Sequence, residues 1–393
     1  MLELADAGLP RAFLRVGGAT IARHQLRLAL ALRCERIICI ARGMSPELIE
    51  LQHDAEARGA QFHVIPGARS LLGLITATDE LFVLGDGLFA SPDTAAALLD
   101  QGQAVLVQPI EQGLAAGFER IDINHASAAA MFIPGRLVES IAELPSDCDA
   151  ASALQRIALQ GGVRQRAIPG MENGALFWNL VRSDSEAHAL EPRWIRQRIR
   201  DDSALYPSRA LALFTVQRLG SSILHAGSGA AHLIIGAAML AAIAIGAGWL
   251  GFYATGLVFC AFGWFLCEAA GLLARVEAGT SSGQRLFNQV SSYGLAIDAI
   301  IIGLAGFGAE AHPWQSLPDR LFPAFMLVAL LRILPRVVSL RWSAWFQDRA
   351  VLAVILAGAL AGGAGNFVLH AGAVIAALAG IGLPGLTKRL TRP

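Results

Sequence analysis

The sequence is short of charge: 16 % of its 393 residues are Asp, Glu, Lys or Arg, where soluble globular domains carry about 25 %. That shortage argues against an ordinary cytosolic enzyme. Cysteine is scarce as well. The five thiols (Cys34, Cys39, Cys148, Cys260 and Cys267) form no CxxC pair and no metal-ligand spacing, which excludes a disulfide scaffold and a thiol-based metal site. Reduced thiols in a cytoplasm-facing protein are the expectation. The opening Met1-Leu2-Glu3-Leu4-Ala5-Asp6 has two acids and neither a basic nor an apolar leader region, so no cleaved signal peptide is expected. Apolar residues are abundant at 54 %, which excludes a disordered chain. At this length two domains are the default.

The balance of 31 basic and 31 acidic residues hides an asymmetry. Residues 1–229 hold 21 Arg and 25 acids; residues 230–393 hold 9 Arg, Lys388 and 6 acids. The second part reads as membrane. A bilayer core of ~30 Å requires about 20 apolar residues in a helix, and six stretches meet or approach this: 229–248, 252–274, 286–307, 321–340, 348–364 and 367–386. Basic residues fall in alternate connections. Arg193 to Arg218 precede the first span, Arg275 and Arg285 lie between the second and third, Arg332 to Arg349 around the fourth and fifth, and Lys388, Arg389 and Arg392 after the sixth. The positive-inside bias then predicts six spans with both termini in the cytoplasm, in a bacterial-type inner membrane.

Between the two parts, residues 188–228 read as juxtamembrane amphipathic helices. Arg193, Arg196 and Arg200 share one helical face while Trp194, Ile195 and Ile199 supply apolar contacts. A second helix is predicted over 208–224. Such helices lie at the headgroup level or pack as plain linkers on the first domain, and the pattern supports both equally.

Residues 1–187 alternate short apolar runs with helical patterns. Strands are predicted at 36–41, 61–65, 80–84, 103–109, 118–123, 128–133, 163–168 and 176–181, with helices at 19–33, 46–58, 91–101 and 150–160. That alternation predicts a largely parallel, doubly wound α/β sheet, which binds ligands at the carboxyl ends of its strands. Leu84-Gly85-Asp86-Gly87-Leu88 follows one such strand. A carboxylate between two glycines suits a divalent ion on a bound nucleotide, and equally a plain Asp-Gly turn.

At this point the residues resemble a family. Pro10-Arg11-Ala12-Phe13-Leu14-Arg15-Val16-Gly17-Gly18-Ala19-Thr20-Ile21 is similar to the Pro-Lys-x-Leu-x-x-x-Gly-Gly segment of the MobA-like nucleotidyltransferases, which have a Rossmann-like α/β fold. The resemblance implies nucleotide contacts at Arg11, Gly17, Gly18 and Asp86. It also aligns Arg182 with the family's second metal Asp. The family's first strand and its Gly-rich loop have no counterpart here, and Arg11 stands where the family has Lys. A guanidinium ~4 Å from a divalent ion would repel it by about 8 kcal/mol at an effective dielectric of about 20. Mg²⁺ is therefore expected only at Asp86.

A second resemblance lies in the second and third spans. Cys267-Glu268-Ala269-Ala270-Gly271-Leu272-Leu273-Ala274-Arg275, followed at matching intervals by Gln284, Asn288 and Ser292, has the spacing of the CDP-alcohol phosphatidyltransferase signature, Asp-x2-Asp-Gly-x2-Ala-Arg-x8-Gly-x3-Asp-x3-Asp. Gly271, Ala274 and Arg275 match. The four Asp fall at Cys267, Ala270, Asn288 and Ser292. The family's carboxylates hold two divalent ions and supply the base; none of these four side chains is a carboxylate. No cofactor is expected in this half. Glu268 and Asp298 remain as charges inside spans, where ionisable groups mark functional positions; pairing with Arg332 or Arg336, lining a polar cavity, and protonated, hydrogen-bonded packing are the roles the sequence leaves open for them.

Together the halves resemble fused inositol-1-phosphate cytidylyltransferase/CDP-alcohol phosphatidyltransferase proteins: an α/β nucleotidyltransferase-like domain (1–187), the juxtamembrane helices (188–228) and an all-α six-helix membrane domain (229–393). The resemblance implies a catalytically degenerate, membrane-anchored binding, regulatory or assembly subunit of phospholipid or inositol-phosphodiester metabolism. The alternative is an active transferase of that lineage with altered substrate and metal use. Expected partners are membrane lipid, a CDP-alcohol or nucleotide, and a second copy or an active relative; nucleic acid is not among them.

Overall fold

The first turn of the fold is set by the Gly17-Gly18 pair. Both glycines take the left-handed conformation (φ 62° and 78°), which closes a two-residue hairpin between β1 (Arg15–Val16) and β2 (Ala19–Thr20). Thr20 then caps α1 (Ile21–Ala31) by accepting from the Arg23 N–H. The structure is a computed structural model, and it describes residues 10–145, 148–169, 177–199, 206–225, 229–277, 281–310, 315–337, 345–346 and 348–390. Within these ranges the side chains of 93, 221, 224–225, 277, 281–291, 335–337 and 382–390 lie outside the description. The chain divides into two compact units, Met1–Trp194 and Ile195–Pro393.

In the first unit β3 (Arg36–Ile40) and β4 (Gln61–Ile65) pair in parallel through α2 (Pro46–Glu56), whose start carries the Ser45 cap and Pro46. Then come β5 (Glu80–Leu84), β6 (Leu88–Ala90), α3 (Pro92–Leu99), β7 (Ala104–Pro109), α4 (Ile110–Ala115) and β8 (His125–Pro134). They are followed by α5 (Ala150–Gln160), β9 (Gln165–Ala167), β10 (Trp178–Leu180) and α6 (Asp184–Arg198). Asp149 caps α5 by accepting from the Ser152 N–H.

The expectation of a largely parallel sheet is corrected. The four-stranded sheet runs β5-β8-β7-β9, and β8 is antiparallel to both β5 and β7; only β7–β9 is parallel within it. The β6–β10 pair is antiparallel too. The cause lies in the segment 118–123, which is not a strand but the arm of a turn with one bridge, Arg120 to Ala126. The Asp122 carboxylate accepts from the N–H groups of Asn124 (2.7 Å) and His125 (2.8 Å). It thereby turns the chain back before β8 begins.

The second unit is helical: α7 (Pro207–His225), α8 (Gly229–Trp249), α9 (Tyr253–Glu277), α10 (Ser281–Gly308), α11 (Leu317–Val337), α12 (Arg349–Ala361) and α13 (Gly365–Leu390). The last six stand at the positions of the six predicted apolar stretches. Among the described residues two segments, Gly229–Trp249 and Tyr253–Val276, are long and apolar enough to cross a membrane, with mean hydropathy 2.1 and 1.9. Small residues let α8 and α9 approach closely. A methyl group on Gly236 would sit 3.4 Å from Leu266, one on Gly263 3.4 Å from the Ala237 carbonyl, and one on Gly256 2.9 Å from the Ala244 carbonyl. Those pairings fix α8 and α9 as antiparallel neighbours.

Candidate functional site

In the first unit the chemistry-bearing loop follows β5. Gly87 has φ +75°, and a methyl group there would lie 2.6 Å from the Val181 carbonyl and 3.4 Å from Arg11 Cβ. Gly85 is pressed on Ala129 in the same way, at 2.8 Å. Ala129 itself is held at φ +53°, a conformation that costs a non-glycine residue of order 1 kcal/mol. The Gln25 amide donates to the carbonyls of Gly85 (2.8 Å) and Leu88 (3.0 Å), so α1 clamps both ends of the loop. Asp86 sits half-buried between them. Burial and the nearby Asp86 carboxylate push the Cys39 thiol on β3 up to about 11. These contacts fix the loop's backbone and are compatible with both a ligand loop and a plain Asp-Gly turn.

The other predicted contacts are placed differently. The Gly17 N–H donates to the buried Glu191 carboxylate (3.0 Å), and His24 Nε2 meets the Val16 carbonyl (2.9 Å). His24 is packed edge-on against Phe89 and Trp194 at 4.9 and 5.5 Å. The Gly17–Gly18 hairpin is thus tied to α6, and the Gly17 N–H is committed to a protein carboxylate. Arg11, in the short 3₁₀ turn Arg11–Phe13, lays its side chain along Gly87. Arg182 is bound to Glu186 through its main-chain N–H (2.8 Å) and Nη2 (3.2 Å), and its guanidinium covers Gly117.

In the second unit α9 carries Cys267, Ala270 and Ala274 buried, with Gly271 and Arg275 half-buried. Ser292 on α10 is exposed; the side chains of Gln284 and Asn288 lie outside the described residues. Neither Cys267 nor Ala270 offers a hard oxygen, so these residues do not fit a divalent ion on the α9 side. Among the described residues, no three His, Cys, Asp or Glu side chains converge as metal ligands.

The second unit instead holds a set of buried and half-buried ion pairs. Glu268 accepts from Arg209 Nη1 and from the Tyr206 hydroxyl, each at 3.0 Å. Burial and the Glu268 charge push Tyr206 up to about 12. Asp298 accepts from Arg349 Nε at 2.8 Å and pairs with Arg332 through its other oxygen. Arg332 is one of the two candidate partners that the sequence offers; the side chain of the other, Arg336, lies outside the described residues. Arg349 is the partner that the sequence does not reveal; its guanidinium also lies 4.1 Å from the Trp264 ring centroid. Asp348 caps α12 through the N–H groups of Ala350 and Val351 and accepts from the Ser208 N–H at 2.8 Å. A cavity of about 220 Å³ opens between Asp298, Arg332, Phe346, Asp348 and Arg349.

No family model matches this chain, and no curated protein matches it.

Proposed function

We propose that the protein is a multi-pass, membrane-anchored relative of the cytidylyltransferase/CDP-alcohol phosphatidyltransferase fusions that has lost their metal-dependent chemistry. It acts as a binding, regulatory or assembly subunit in phospholipid or inositol-phosphodiester metabolism, paired with a second copy or an active relative. One observation carries the reading. Cys267 and Ala270 are buried where the signature demands carboxylates, and the positive charge nearby is the fixed guanidinium of Arg349, next to Gly294 and bound to Asp298. A guanidinium satisfies an anion without an ion, but it does not activate an acceptor alcohol.

The test is turnover. Protein reconstituted with CDP-diacylglycerol, inositol phosphate and Mg²⁺ should release no CMP above the lipid-only control. Sustained release, abolished by chelator, would overturn the reading.

A second reading, an active transferase with altered metal use, draws support from the cavity lined by Arg332 and Arg349. Paired guanidinium groups can stabilise charge developing on a phosphate. Under that reading Asp298→Asn abolishes the cellular phenotype while the protein accumulates normally. Under the first, the phenotype tracks protein level alone.

A further inference from the structure

Three charged side chains from α10, α11 and α12 meet without cancelling: the Asp298 carboxylate faces two guanidinium groups, Arg332 and Arg349. We propose that Arg332 and Arg349 form a binding site for a phosphate monoester group, and that Asp298 occupies it as a built-in stand-in which the ligand displaces. The site is the cavity that favours the second reading. Binding there needs no turnover, so the site and that reading can fail separately.

Each guanidinium has an anchor besides Asp298. That of Arg349 lies 4.1 Å from the Trp264 ring centroid and close against Gly294, where a methyl group would meet its Nη2 at 3.0 Å. Arg332 Nη2 donates to the Gly294 carbonyl at 3.2 Å. Both cations are therefore held against the turn of α10 that precedes Asp298. The carboxylate, 7 % exposed, adds to this frame rather than creating it. Its Oδ1 accepts from Arg349 Nε at 2.8 Å, and its Oδ2 pairs with Arg332.

The chemistry of the cavity selects the ligand. Its volume is about 220 Å³, more than the ~150 Å³ that admits benzene to an engineered protein core. Its other acid, Asp348, is spent, because its two oxygens accept from the N–H groups of Ser208, Ala350 and Val351. Among Asp298, Arg332 and Arg349, one positive charge is left over. A dianionic phosphate monoester cancels both guanidinium charges, and its oxygens match their forked donors. Asp298 competes from within the same fold, at high effective concentration, so the wild-type site is weak for an external anion. Turning or neutralising that carboxylate opens it.

The experiment follows thermal unfolding of the full-length protein in detergent. The probes are inorganic phosphate, against chloride at equal ionic strength, and short-chain phosphatidic acid, against phosphatidylcholine. Relative to these controls the wild-type midpoint should move by less than about 1 °C, while that of Asp298→Ala rises by about 3 °C or more. The double variant Asp298→Ala/Arg349→Met should lose that response. A rise in inorganic phosphate assigns the site to a soluble phosphate monoester; a rise confined to phosphatidic acid assigns it to a lipid headgroup. Equal shifts in wild type and Asp298→Ala, no shift of Asp298→Ala with either probe, or an undiminished response of the double variant would overturn the proposal. If Asp298→Ala does not accumulate, Asp298→Asn carries the same test, and failure of both to fold even with the two probes present also overturns it.

Discussion

The carboxylate of Asp348 accepts a hydrogen bond from the main-chain N–H of Ser208, 140 residues earlier, at 2.8 Å. Its other oxygen caps α12 through Ala350 and Val351. One buried side chain therefore serves the N-termini of two helices, α7 and α12, and complements the positive end of each dipole.

Asp348→Ala should remove both caps and leave the buried Ser208 N–H without its acceptor. The expected cost is about 2–4 kcal/mol, seen as a lower unfolding midpoint in detergent. Asp348→Asn, which keeps one oxygen acceptor, should recover about half. An unchanged midpoint for the Ala variant would count against the shared cap.

Asp298, Arg332 and Arg349 should behave as a coupled set. Asp298→Asn leaves two half-buried guanidinium groups facing each other and should destabilise the protein by about 3–5 kcal/mol. In a double-mutant cycle with Arg349→Met the penalty should fall, with a coupling of about 1–3 kcal/mol. Additive effects would mean that the 2.8 Å bond contributes nothing.

Gly87→Ala should strain the loop that holds Asp86. The new methyl group would sit 2.6 Å from the Val181 carbonyl at φ +75°. A loss of about 1–3 kcal/mol is expected, together with faster amide exchange across residues 85–90. Wild-type exchange rates there would show that the clamp by Gln25 is not rigid.

The thiol of Cys39, pushed up to about 11 by burial and by the Asp86 charge, should be alkylated slowly at pH 8, where the thiolate is scarce. Asp86→Asn removes the smaller of those two causes. The thiolate fraction, and with it the alkylation rate at fixed pH, should rise. No change in alkylation rate would place Asp86 farther from β3 than the structure has it.

Much of the fold was legible because it is periodic. The apolar helix starting at Gly229, the strands at 36–40, 61–65 and 80–84 and the helix Ala150–Gln160 fall where apolar spacing and caps put them. The strand directions were not legible, since β8 chooses its partners across the sheet and the turn at Asp122 reverses a segment that reads as apolar and extended. β6 (Leu88–Ala90) is too short for any period to show. Within the candidate sites, Glu268 and Asp298 stood out as charges in apolar runs, but Tyr206, Arg209 and Arg349 could not be matched to them. Their pairing is set by helix packing over 51 to 62 residues of separation. Gln25 carried no signal at all, because a glutamine on a helix is ordinarily solvated.

On the proposed function, any surviving CDP-alcohol site of the second unit works without a divalent ion. The most direct measurement is the thermal unfolding of the purified protein with CDP-diacylglycerol or CDP-inositol, each with Mg²⁺ and with chelator. A ligand at 100-fold above its dissociation constant adds about 2.7 kcal/mol to a folded state that binds it. The midpoint with each ligand is predicted to be the same in Mg²⁺ and in chelator; a stabilisation that appears only with Mg²⁺ would contradict the claim.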